Sequence, residues 1–126
     1  MEIETVDKIV ADTCVFISIF RGDQALFDTL NKYRVYVPSL VVMELLQGSR
    51  DKYELRKIEK FLCNYEIIQI TEYSSLQAIE LIKNYSKSHG LAIPDAIIAS
   101  VAIERKLPLY TLNLKDFSFI SGLRLI

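Results

Sequence analysis

Four acidic residues in this 126-residue sequence could do chemistry together: Asp12, Glu44, Asp95 and Asp116. Asp12 ends the apolar run Lys8-Ile9-Val10-Ala11, Asp95 follows Pro94, and Asp116 lies three residues after Asn113. On a helix, Glu44 would neighbour Leu40, Val41, Gln47 and Gly48, none of them a cation that could pair with it. Glu80 differs, because Lys83 and Asn84 sit beside it on a polar face and account for it as a solvated helix charge. Carboxylates a few ångströms apart repel by roughly 4 kcal/mol per pair at an effective dielectric of about 20, so a cluster of them needs protons or a cation. An all-oxygen donor set suits Mg²⁺ or Mn²⁺; zinc would want His or Cys. Such a site does phosphoryl chemistry, acidifying a water, orienting it, and neutralising charge on the phosphate and leaving oxygen. Thr13, Thr111 and Asn113 are placed to hydrogen-bond the waters or the phosphate.

Each acid also has a plainer explanation. Asp95 would favour a helix macrodipole, Asn113 with Asp116 resembles a capping box, Asp12 could close a turn, and Glu44 could face solvent in another register. Convergence separates the two readings, and that depends on the elements carrying the acids. Lys8–Ala11, Arg34–Val37, Glu66–Ile70 and Leu109–Thr111 are short apolar runs that predict four strands. Between them the spacing predicts helices: a buried turn over Val15–Phe20 and a segment from Asp23 to Tyr33. Another runs from an N-cap at Ser39 to a stop at Gly48, and Tyr53–Asn64 repeats Leu55, Ile58, Phe61 and Leu62. A long amphipathic helix carries Leu76, Ile79, Ile82 and Tyr85 and ends near Gly90, and further helices open at Pro94 and after Asn113. Strands alternating with helix pairs predict an α/β fold: a parallel sheet of about four to five short strands flanked by helices, as a single domain over 1–126. In such sheets ligands bind at the carboxyl ends of the strands, where these acids fall.

Composition sets further bounds. With 51% hydrophobic and 25% charged residues the chain is globular, not disordered. The run from Ile9 to Phe20 is too short and contains Asp12, so neither a signal peptide nor a membrane span is expected, and the cytoplasm is the expected location. Cys14 and Cys63 are too few for a disulfide framework and read as cytosolic thiols. A formal charge of -1 carries no broad basic field for nucleic acid. That balance conceals four clustered acids, which a bound Mg²⁺ would locally reverse in sign.

At these residues the sequence resembles the PIN-domain ribonucleases, and most closely the VapC toxins of type II toxin-antitoxin pairs. The resemblance is carried by Val10-Ala11-Asp12-Thr13-Cys14-Val15, Pro38 to Gly48 around Glu44, Pro94-Asp95-Ala96-Ile97-Ile98-Ala99, and Thr111-Leu112-Asn113-Leu114-Lys115-Asp116-Phe117. The tail Phe119–Ile126 is also similar, with Ser121 where these toxins usually have Pro; family members often have Ser at the position of Cys14. The resemblance implies an α/β/α sandwich and endonucleolytic cleavage of RNA with Mg²⁺ or Mn²⁺. It further implies that Asp12, Glu44, Asp95 and Asp116 hold the metal, with Thr13, Thr111 and Asn113 as accessory groups. A homodimer and a cognate antitoxin that covers the site are implied as partners.

Other chemistries fail on specific residues. His89 is the only histidine, which excludes two-histidine RNA cleavage, and its expected place is the surface beside Gly90. Neither a G-x-S-x-G elbow nor a P-loop occurs. A haloacid-dehalogenase-like phosphatase needs a second Asp where Cys14 stands. A PIN-fold interaction module without catalysis, or a PIN nuclease of RNA processing, are the remaining alternatives. The basic run Arg50 to Lys60 is interleaved with Asp51, Glu54 and Glu59 and reads as a solvated helix face.

Overall fold

A computed structural model describes residues 7–126. Its centre is strand β1 (Lys8–Ala11), where Ile9, Val10 and Ala11 are entirely buried. A run with no polar side chain on either face can only be interior, covered on both sides by helices. β2 (Arg34–Pro38) pairs with β1 on one side and β4 (Leu109–Tyr110) on the other, with β3 (Glu66–Ile68) outside β2. Every pairing is parallel, with Val10 opposite both Tyr36 and Leu109 and Ala11 opposite Tyr110. Residue Leu125 bridges to Leu109 on the outer edge of β4, where Leu109 N–H donates to Arg124 and Ile126 N–H to Leu109.

Among the described residues six helices cover the sheet: α1 (Thr13–Phe20), α2 (Gln24–Leu30), α3 (Ser39–Gln47), α4 (Lys52–Leu62), α5 (Glu72–His89) and α6 (Ile93–Arg105). Several carry their own start signals. Asp23 and Asp51 accept from the backbone N–H three residues on, and Thr71 forms a reciprocal capping box with Ser74. Gly90, at φ +68, ends α5 in the left-handed region. Helix α6 opens with Pro94 in its first turn and buries Ala96, Ile98, Ala99, Val101 and Ala102. Ser100 is buried among them because its hydroxyl donates back to the Ala96 carbonyl at 2.8 Å.

Several local expectations differ from what is observed. Ser39 is the first residue of α3, not its cap, and makes no capping bond; its burial against the sheet leaves Pro38 at the N-cap. Gly48 ends α3 with ordinary right-handed geometry, at φ -76. Along α5 the inward face is Ser74, Ala78 and Leu81, while Leu76 and Ile79 are 58% and 54% exposed. Small residues at the inward positions let α5 lie close on α6, and that contact set the face. Ile17 and Phe20 of α1 are likewise exposed, β3 stops at Ile68, and β4 stops at Tyr110.

The connection between β1 and β4 controls the site. The chain leaves β1 toward β2 on one side, and β4 arrives on the other, so the strand order reverses between β1 and β4. That reversal opens a crevice at the carboxyl ends of the two strands. We expect Leu109→Ala, which empties a fully buried position beside β1, to lose roughly 2–5 kcal/mol in urea unfolding. Lys106, a non-glycine residue at φ 57, offers the opposite case: Lys106→Gly should gain about 0.5–1 kcal/mol in the same measurement.

Candidate active site

Asp12 is the residue after β1 and the N-cap of α1, and it is 5% exposed. A carboxylate this deeply placed must have its oxygens satisfied. Oδ1 accepts the Thr13 backbone N–H at 2.7 Å, while Oδ2 accepts the Thr111 hydroxyl at 2.9 Å and the Cys14 thiol at 3.3 Å. Thr111 is the residue after β4, so its hydroxyl spans the crevice. It in turn accepts the Asn113 backbone N–H at 3.0 Å, forming a relay of two hydrogen bonds from the loop to Asp12.

Glu44 projects from the sixth position of α3, which packs on α1. Its Oε1 accepts the Thr13 hydroxyl at 2.8 Å, so neighbouring residues at the start of α1 supply one acid and anchor another. Asp95 lies in the first turn of α6, half-buried. Burial pushes its pKa up to about 6, assisted by the negative charges of Asp12, Asp116 and Glu44. All three other acids therefore act on Asp95 from one edge of the sheet. Asp116 is exposed on a single 3-10 turn, Leu114–Asp116. The regular helix and capping box expected after Asn113 do not form: the Asn113 side chain makes no cap bond, and its backbone N–H, which a capping box would offer to Asp116, donates to Thr111.

The structure thus brings the four predicted acids to one sheet edge, though among the described residues no three His, Cys, Asp or Glu side chains stand close enough to hold one metal ion. It alters the part played by the hydroxyls. Thr13 and Thr111 were expected to face waters or a phosphate; here they donate to Glu44 and Asp12. Cys14, read from the sequence as an ordinary thiol, belongs to the site. Burial pushes its pKa up from the usual value, so at neutral pH it keeps its proton as a donor. Its position two residues after Asp12, where a helix was expected to begin, was the available signal.

A groove of about 790 Å³ runs from Glu44 between α1, α3 and α4, lined by Ile17, Phe20, Leu45, Ile58 and Phe61 with Arg21, Arg50 and Lys57 among its polar residues. A second hollow of about 500 Å³, bounded by Lys8, Pro108 and Arg124, lies at the opposite end of β1, away from the acids. His89 is exposed at the end of α5, as expected, and stacks on Phe119 with ring centroids 4.3 Å apart.

The PIN domain family profile matches residues 9–120, which spans all four acids, and the chain belongs to that family. A relative named Ribonuclease VapC, from Rickettsia bellii (strain RML369-C), is 27% identical over 126 residues, covering 94% of each chain. Among solved structures, the chain is similar to VapBC2 from Rickettsia felis bound to a DNA fragment from the promoter. The TM-score is 0.80 at 26% identity, covering 94% of this chain and 97% of that one. A toxin-antitoxin complex from Klebsiella pneumoniae gives a TM-score of 0.78 at 26% identity, covering 91% and 94%.

The raised pKa of Asp95 predicts a pH dependence. Between the ordinary value of 3.8 and about 6 the folded chain holds a proton that the unfolded chain has released. The stability from this group is therefore full below about pH 4 and lost as pH rises through 6. In thermal unfolding with EDTA, Asp95→Asn should melt above wild type at pH 7. The gap should close as pH falls toward 4; a gap constant across that range would contradict the assignment.

Proposed function

We propose that this chain is an endoribonuclease that depends on Mg²⁺ or Mn²⁺ and acts as the toxin of a toxin-antitoxin pair in the cytoplasm. The observation that carries the reading is the set of four acids at one sheet edge, three of which raise the pKa of the fourth. Such mutual repulsion is what a divalent cation relieves, and the all-oxygen donor set fits a hard ion. Membership of the PIN family and the relative named Ribonuclease VapC support RNA as the substrate. Asp12, Glu44, Asp95 and Asp116 would draw closer together to hold the cation, which would supply an acidified water and charge neutralisation at the phosphate.

The chain's own residues prepare that site. Thr13 fixes Glu44, and Thr111 fixes Asp12 from across the crevice, so two carboxylates are oriented before any ligand arrives. The N-terminus of α6 presents Asp95 at the positive end of a helix dipole, which favours its ionised form against the burial that opposes it. Asp116, on the exposed turn, is the acid most open to solvent and to an incoming strand.

The antitoxin is the second part of the proposal. Solved relatives described as VapBC and toxin-antitoxin complexes support it. The apolar groove beginning at Glu44 suits a partner protein that would also restrict access to the acids. A homodimer belongs to the same reading, with Tyr73, Leu76 and Ile79 supplying exposed apolar surface on α5.

Purified protein should cleave RNA with Mg²⁺ or Mn²⁺ and stop with EDTA. Asp12→Asn and Asp95→Asn should each lower the rate by at least about 100-fold, the upper end of the cost of losing a mere outer-shell partner. Cleavage that survives chelation, or normal rates in both variants, would overturn the mechanism. Expression should arrest growth, with relief by a co-expressed antitoxin; harmless expression of a protein active in vitro would instead favour an RNA-processing nuclease.

A further inference from the structure

Cys14 is tied to both sides of the crevice. Its Sγ lies 3.3 Å from Asp12 Oδ2, to which the thiol donates, and it accepts the Leu112 backbone N–H at 3.4 Å. The Thr111 hydroxyl is 3.5 Å away and donates to the same carboxylate oxygen. Cys14 sits on α1 and Leu112 on the loop that leads from β4 to Asn113 and Asp116. One sulfur therefore links the first acid to the segment that delivers the last. Cys63 provides the contrast: it is exposed, and its thiol only returns to the Glu59 carbonyl of its own helix at 3.3 Å.

We infer that Cys14 is a positioning residue, whose thiol holds the Asp12 carboxylate and the loop carrying Asn113 and Asp116 together, so that both are in place when a divalent cation binds. This rests on the reading of the acids as a cation site. An ionised carboxylate has about four acceptor positions. Thr13 N–H, Thr111 Oγ1 and Cys14 Sγ occupy three on Asp12, which restrains the carboxylate from turning and leaves one for a cation. Removing the thiol frees one side of Oδ2 and leaves Leu112 N–H without its acceptor, so both the ligand and the loop lose restraint.

The test is calorimetric titration of Mn²⁺ into the metal-free full-length protein without RNA, together with thermal unfolding in EDTA. Wild type and the control Cys63→Ala should bind alike, and Cys14→Ser, which keeps a donor and acceptor, should stay close to them. Cys14→Ala should bind about tenfold more weakly, the lower end of the loss expected for an outer-shell partner. Cys14→Val, which fills the space without a donor, should show the same loss and covers the case in which the alanine variant folds poorly. A fall in melting temperature with unchanged Mn²⁺ affinity in Cys14→Ala and Cys14→Val would reduce Cys14 to packing and overturn the inference. Failure of Cys14→Ser to restore affinity would overturn it equally. Lack of Mn²⁺ binding by wild type would instead remove the cation site itself.

Discussion

A hydrogen bond of 2.9 Å from the Thr111 hydroxyl to Asp12 Oδ2 spans the crevice at the carboxyl ends of β1 and β4. Its two residues follow the two paired strands at which the strand order reverses, so the bond carries the pairing of β1 and β4 past their carboxyl ends. Around it lie the contacts that orient the site: Thr13 on Glu44, Cys14 on Asp12, and Asn113 on Thr111. A buried carboxylate is costly unless its oxygens are occupied, and here the donors that satisfy Asp12 also aim it. Stability and site geometry therefore come from the same few atoms.

The acids also work against the fold. Asp95 is raised to about 6 by burial and by its three neighbours, which means that the ionised apo-site is strained at neutral pH. The surrounding core can carry this: Ile9, Val10 and Ala11 of β1 are wholly buried, α6 packs Ala96, Ile98, Ala99 and Val101 inward, and Phe16 meets Phe61 and Tyr65 edge-on. Acidic residues gathered on a rigid apolar frame are a common compromise between function and stability. The overall charge of -1 hides it, since the cost is local.

Strand order in the chain, the parallel α/β class and the position of Asp12 after β1 were legible in the sequence, because each rests on a strong local signal: apolar β-rich runs broken by Pro, Gly or an acid. The inward face of α5 was not. Leu76 and Ile79 have the right spacing for a buried stripe, yet the close approach to α6 selected Ser74 and Ala78 instead. Likewise Asn113 and Asp116 have capping-box spacing, and Thr111 drew the Asn113 backbone into another bond. Of the site, residue types were readable and partners were not. Thr13 and Thr111 were recognised as polar groups near acids, whereas which acid each holds depends on residues 31 and 99 positions apart being brought together.

That last separation affects the order in which the protein is made. Synthesis proceeds from the N-terminus, so Asp12, Thr13 and Glu44 exist and can pack well before Thr111 has been added. Until β4 docks beside β1, the first carboxylate lacks both its hydroxyl clamp and the loop that carries Asn113 and Asp116. The acidic edge is therefore completed late: before Thr111 is added the nascent chain carries Asp12, Glu44 and Asp95, but neither the hydroxyl that clamps Asp12 nor the fourth acid.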